Sequence, residues 1–167
     1  MSAETSEPGR TWVLGDDVDT DQIIPSRFIV SNDPAELGKH AFNDLRPDFA
    51  EGVSEGDFVV AGENFGSGSS REHAPLSLVG AGVSGVVAQS FARIFYRNAI
   101  NLGLPVLICP SADRIRDGDE ISLDLAAGTV RNHTRGEERT ADALPEFLQS
   151  LVDAGGLEAY TKRKLKE

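Results

Sequence analysis

The chain of 167 residues has a single cysteine, Cys109, only four lysines (Lys39, Lys162, Lys164 and Lys166), and no apolar run near the roughly 20 residues that a membrane-spanning helix needs. Each scarcity excludes something. One thiol makes no internal disulfide, and a protein-held iron-sulfur cluster takes three or four thiolates, so this chain is expected to hold no such cluster and no other metal unaided. Cys109 falls in the apolar segment 105–110, PVLICP, which reads as a buried strand, so its expected role is that of a small core residue. The 16 basic residues are outnumbered by 27 acidic ones, and the net charge of -11 has the wrong sign for gripping a nucleic-acid backbone. An acid-rich, Arg-over-Lys composition fits a salty cytosol or a high-GC genome equally. The opening MSAETSEPGR carries neither a signal-peptide nor a transit-peptide pattern, so a soluble, cytoplasmic protein is expected.

What is present fits one compact α/β domain. Residues 1–10 are polar and predict a disordered tail, residues 11–160 a single domain, and residues 161–167, TKRKLKE, a charged C-terminal tail ending a solvated helix. Segments 11–14, 57–62, 85–90 and 105–110 read as strands. Helical patterns at 71–82 and 91–103 separate the last three, and strand-helix-strand-helix-strand in about fifty residues is the mark of a parallel βαβ core. A short helix led by Pro34 is expected over 34–42, with polar connections at 15–25 and 46–57. Beyond the core, 117–134 alternates and turns at Ala-Ala-Gly, predicting an antiparallel β-hairpin, and 144–160 is an amphipathic helix broken at Gly155 and Gly156.

The chemistry-bearing segment is 62–73, GENFGSGSSREH, where a strand ends and a helix begins. Glycines let the backbone approach a ligand, helix-terminal N–H groups favour an anion, and Ser69, Ser70 and Arg71 bring hydroxyls and a guanidinium to one spot. Nucleotide loops are a poor match. The NTPase loop needs Lys-Ser/Thr after its last glycine, where Ser69 follows Gly68, and the dinucleotide loop needs a glycine where Arg71 stands and an acid where Gln89-Ser90 follow the next strand. The motif alone leaves two readings, an anion site or a structural glycine turn.

GENFGSGSSREHAPL, the following GVVAQSFARIFYRNAINLGLPVL and the earlier DTDQIIPSRF together resemble the small-subunit or swivelling domain of the aconitase superfamily, from about residue 15 to residue 110. The resemblance implies an aconitase-swivel-like β/β/α domain. It also implies a hydro-lyase that moves a hydroxyl between adjacent carbons of a malate-like acid and works only with a large subunit carrying a 4Fe-4S cluster. By the same resemblance Ser69 is the catalytic base, and Ser70 and Arg71 hold a substrate carboxylate. Asp21 is the acidic residue brought in from the N-terminal motif to orient an active-site partner. His73 is read as making a supporting hydrogen bond rather than shuttling protons, and His40 and His133 are placed on the surface. The polar residues of the 91–103 helix, Arg93, Tyr96, Arg97 and Asn98, are assigned to a subunit face.

Specificity in this family is tuned in the segment 25–34, PSRFIVSNDP. Phe28, Ile29 and Val30 are apolar there; burying an unpaired carboxylate against them is costly, whereas an isopropyl group gains about 0.8 kcal/mol per buried carbon. Isopropylmalate, and hence leucine biosynthesis, is the expected assignment. Citraconate or methylmalate isomerisation and homoaconitase remain as alternatives, the last because Arg27 is near. A non-enzymatic, free-standing anion-binding domain is the competing class; retention of Asp21, Ser69, Ser70 and Arg71 together argues against it.

Overall fold

A computed structural model of the chain describes residues 6–166; Met1 to Thr5 of the expected tail, and Glu167, lie outside the described residues. Seven strands form one sheet: β1 (Gly9–Val13), β2 (Phe58–Ala61), β3 (Gly85–Ala88), β4 (Val106–Ile108), β5 (Glu120–Asp124), β6 (Thr129–Asn132) and β7 (Glu137–Thr140), in the order β4-β3-β2-β1-β5-β6-β7. The first four pair in parallel and the last three antiparallel, β5 joining β1 as its antiparallel neighbour. Every residue of β2 and β3 is buried, as expected of central parallel strands covered on both faces. Among the described residues no helix is long and apolar enough to cross a membrane.

Helices α4 (His73–Gly80) and α5 (Arg93–Asn101) carry the crossovers from β2 to β3 and from β3 to β4. The parallel core therefore follows the expected order. Helices α6 (Glu146–Ala154) and α7 (Leu157–Leu165) are the two halves of the broken C-terminal helix, and α7 takes in most of the charged tail. Cys109 is fully buried in the core.

Five expectations are corrected or extended. The N-terminal tail is ordered from Ser6, whose N–H and Oγ bond the Leu123 carbonyl and N–H at 2.8 Å each, and β1 already runs from Gly9. The predicted hairpin is present as β5 and β6 and continues into a third antiparallel strand, β7, whose sequence EERT is mostly charged and exposed, which hides it from a hydrophobicity pattern and suits the edge position it occupies. The connection 15–25 contains α1 (Thr20–Ile23), fixed by a reciprocal capping box between Asp19 and Gln22. The connection 46–57 contains α3 (Phe49–Gly52), which buries Phe49 edge-on to Trp12 and Phe42 at centroid distances of 5.2 and 5.0 Å. Helix α2 (Pro34–Gly38) keeps its expected Pro at the start but ends four residues early.

Buried polar groups staple the sheet. Asp57 accepts from the Trp12 indole N–H at 3.0 Å and from the Ser54 N–H at 2.9 Å. Asp119 accepts from Asn132 Nδ2 (2.9 Å), the Arg116 N–H (3.0 Å) and Arg135 Nε (3.0 Å). Burial opposes ionisation of Asp119, but these donors outweigh it and hold its carboxyl below the ordinary value. The stability it contributes is therefore present above the ordinary carboxylate pKa of about 3.9 and lost as pH falls through the depressed folded value. Asp119→Asn is expected to lower stability at pH 7 by on the order of 1 kcal/mol in urea unfolding, with the gap to wild type narrowing as pH falls below the ordinary carboxylate pKa of about 3.9. A gap independent of pH contradicts the ionised, donor-held state.

Candidate active site

Two distant segments are laced together at the carboxyl ends of β1 and β2. The Gly66 N–H donates to the Val18 carbonyl (2.7 Å), the Thr20 N–H to the Ser67 carbonyl (2.8 Å) and the Asp17 N–H to the Glu63 carbonyl (2.8 Å), with Asp19 and Ser67 paired as in a parallel ladder. Asp17 and Asn64 adopt left-handed φ values of 55 and 60°, which short polar side chains tolerate best, and Asn64 Nδ2 donates to Asp17 Oδ1 at 3.1 Å. On the other flank the Asn64 N–H bonds Ser90 Oγ (2.7 Å), the Phe65 N–H the Ser90 carbonyl (3.1 Å) and the Ala92 N–H the Phe65 carbonyl (2.9 Å). The glycine loop is thus held from both sides.

Inside it, Phe65 is fully buried edge-on to Phe95 at 5.1 Å, and Gly66 lies so close beneath α5 that an added Cβ would sit 2.3 Å from Phe95 Cβ, at φ 86°. Only glycine fits both the space and the dihedral. With the loop anchored there, Ser69 and Ser70 emerge on the surface.

Ser69 Oγ lies 3.2 Å from Thr20 Oγ1, and Thr20 is itself buried. Nothing in the sequence singled out Thr20; its place between Asp19 and Asp21 in the N-terminal motif was the one available signal. Arg71 reaches back to the same motif, donating from Nη1 to the Ile24 carbonyl (3.0 Å) and approaching Asp21 Oδ1 at 3.4 Å. Among the described residues Arg71 Nε and Nη2 make no hydrogen bond, which leaves that edge of the guanidinium for a carboxylate. An ion pair this long, with Asp21 exposed, adds little stability and chiefly orients the guanidinium.

The helix that follows starts later than the pattern 71–82 predicts. Pro75 is the cause, since a proline ring clashes with a helical carbonyl four residues back, which is that of Arg71. Ser69, Ser70 and Arg71 consequently sit in the turn before α4, and its first turn begins at His73.

The segment 25–34 forms an arch next to this turn. Its 3-10 turn Ser26–Phe28 turns Phe28 back onto His40, the rings stacked at 4.1 Å, so His40 is half-buried rather than fully on the surface. Ile29 is half-buried against the core, and Val30, 85% exposed, is the one residue of the three that stands clear. Arg27 pairs through both terminal nitrogens with Asp44 and lies over the Phe28 ring. His73 Nε2 lies 2.7 Å from Asn32 Oδ1, so its bond goes to the arch. The exposed His133 bonds Ser122 Oγ at 2.8 Å, far along the chain from the site.

The residues of this chain do not fit an iron-sulfur cluster. Cys109 is sealed in the core, with Sγ directed at the Thr140 carbonyl at 3.6 Å, and among the described residues no three His, Cys, Asp or Glu side chains are grouped as metal ligands. No step is assigned to such a group on this chain.

The fold is an α/β domain whose parallel βαβ core presents the exposed Ser69 and Ser70 and the half-buried Arg71 in one turn, braced by the Asp19-Thr20-Asp21 loop. Residues 54–111 match the aconitase C-terminal domain family. The 3-isopropylmalate dehydratase small subunit of Methanosarcina mazei is 56% identical over 159 residues, covering 95% of this chain and 98% of that protein. The isopropylmalate/citramalate isomerase small subunit of Methanocaldococcus jannaschii is 49% identical over 160 residues, 95% of each. A crystal structure of 3-isopropylmalate dehydratase from the same organism superposes with a TM-score of 0.90 at 43% identity, covering 95% of both chains. The chain belongs to the 3-isopropylmalate dehydratase small-subunit family of the aconitase superfamily.

Because Gly66 sets where the turn emerges, Gly66→Ala is expected to destabilise the fold by on the order of 3 kcal/mol, from the positive φ and the overlap with Phe95 together. Urea unfolding measures this, and a midpoint equal to wild type contradicts the anchoring role.

Proposed function

We propose that this chain is the small subunit of a 3-isopropylmalate dehydratase, which interconverts 2-isopropylmalate and 3-isopropylmalate in leucine biosynthesis by removing and re-adding water, with Ser69 as the base. The observation that carries the residue assignment is the meeting of Ser69, Thr20, Arg71 and Asp21 at one exposed turn. Ionised Ser69 Oγ takes the proton from the carbon that lacks the hydroxyl, the C–H electron pair becomes the new C=C bond, and the hydroxyl leaves its neighbour as hydroxide, which takes a proton from an acid on the covering chain to depart as water. The unsaturated diacid then takes water back in the opposite sense, with Ser69 returning the proton. Ser70 and Arg71 grip a carboxylate and the charge that develops on it, and Asp21 holds the guanidinium in aim.

An alkoxide is unfavourable on an open surface, where water screens the guanidinium. The site as it stands on this chain is open, with Ser69 and Ser70 both exposed. A covering chain would supply the low-dielectric enclosure, and the partner we assign is the large subunit bearing the 4Fe-4S cluster, which would supply Lewis acidity toward the departing hydroxyl. The pair would work in the cytoplasm.

For the substrate, Val30 is the exposed apolar contact and Arg27 is already committed to Asp44, which disfavours a second carboxylate and hence homoaconitate. A methyl in place of isopropyl forfeits two buried carbons, about 1.6 kcal/mol, so a citramalate-type substrate is turned over more weakly rather than refused.

In the reconstituted pair, Ser69→Ala is expected to cut kcat by about 10²- to 10⁴-fold while assembly, followed by gel filtration, is unchanged; turnover close to wild type removes the serine from the role of base. Val30→Arg is expected to shift the kcat/KM ratio by about tenfold or more toward substrates whose side group carries a carboxylate, and an unaltered ratio contradicts the placement of Val30 against that group.

A further inference from the structure

The arch that carries Val30 is fastened at both ends to the turn that carries Ser69. At its start, the Ile24 carbonyl accepts from Arg71 Nη1 at 3.0 Å, and Asp21, the ion-pair partner of Arg71, accepts from the Ser26 N–H at 3.3 Å. At its far end, Asn32 Oδ1 lies 2.7 Å from His73 Nε2, a distance at which the ring N–H donates to the amide oxygen. Arg71 and His73 are two residues apart, so one short turn grips both feet of the arch.

Between those feet, the crest beyond Ile29 has little else. The Ile29 N–H bonds the Ser26 carbonyl and the Val30 N–H the Phe28 carbonyl, both bonds local to the arch, and the Val30 side chain touches almost nothing. Ring stacking of Phe28 on His40 and the Arg27–Asp44 pair steady the first half only. In the second half Ile29 rests on the core and Asp33 caps α2, accepting from the Ala35 N–H at 3.1 Å, and the stretch between them, Val30 to Asn32, is tied to α4 through the His73–Asn32 bond.

We infer that His73 is a positioning residue for substrate selection: with Asn32 it latches the arch to the catalytic turn and so sets the distance between the side-group contact at Val30 and the reacting carbons held at Ser69 and Arg71. This rests on the proposed dehydratase reading for its kinetic consequence, whereas the latch itself is a property of this chain alone. The bond does not make His73 a proton carrier, because its Nε2 is turned to Asn32. Loss of the latch leaves the base and the carboxylate grip in place and loosens only the side-group contact. The expected signature is a higher KM for isopropylmalate with kcat little changed, and poorer discrimination against the methyl analogue.

The test has two arms. Hydrogen exchange of the isolated full-length chain reads the latch directly: in His73→Ala, amides of residues 29–33 are expected to exchange about three- to tenfold faster than in wild type, those of β2 and β3 unchanged. In the reconstituted pair, His73→Ala is expected to raise KM for isopropylmalate by a similar factor. Asn32→Ala should do the same, the double variant no more than either single one, and His73→Gln, which keeps a donor at the same reach, should restore much of the effect. Unchanged exchange at 29–33 overturns the latch. Faster exchange with unchanged KM, or additive effects of the two alanines, overturns its role in selection. A wild-type pair inactive on isopropylmalate refutes the dehydratase reading instead, and the exchange arm still decides the latch.

Discussion

Two backbone hydrogen bonds, from Gly66 to Val18 and from Thr20 to Ser67, are the constraint on which the site depends. They join segments almost fifty residues apart as though both were strands of the parallel sheet, although neither belongs to it. The sheet brings them within reach, since β1 and β2 are parallel neighbours and both loops leave from their carboxyl ends, the side on which open α/β sheets place their ligands. Once laced, the chain has little freedom in where Ser69 emerges. Gly66 pins the loop under Phe95, Ser90 holds the opposite flank, and the serine hydroxyl arrives beside Thr20.

The same geometry explains why the domain is incomplete alone. Ser69 and Ser70 are exposed to water and Arg71 partly so, in a protein whose net charge of -11 offers no general attraction for an acidic substrate. Local positive potential comes from Arg71 and from backbone N–H groups around the turn, and it strengthens when a second surface excludes water. In the proposed reaction, preorganisation is built on this chain and enclosure is left to its partner. The arch at 25–34 belongs to the same unit, gripped by the turn it serves.

The parallel core was legible because its strands are continuous apolar runs and its helices carry a 3.6-residue period, so pattern and burial agree. The Ser69-Ser70-Arg71 turn was legible because glycines, hydroxyls and a guanidinium concentrate there in a way that no core needs. Other features left no pattern. Strand β7 is charged at three of its four positions, and α1 and α3 are single turns decided by one capping box and by the burial of one aromatic side chain, Phe49. The late start of α4 follows from the ring of Pro75, whose effect falls on a carbonyl four residues away. Thr20 and Asn32 take their roles from tertiary contacts with Ser69 and His73, which no local reading of either segment contains. Of the apolar triplet 28–30, composition alone could not tell that Phe28 turns onto His40 and leaves Val30 exposed.

In the proposed reaction the turn before α4 presents a hydroxyl, backed by Arg71, to the carbon of a dicarboxylic acid. A crystal structure of the assembled pair with isopropylmalate bound tests it most directly. The account requires Ser69 Oγ within about 3.5 Å of the carbon that loses its proton, with the Arg71 guanidinium on a carboxylate. A bound substrate with Ser69 facing away from it, or with its carboxylates held wholly by the other chain, contradicts the account.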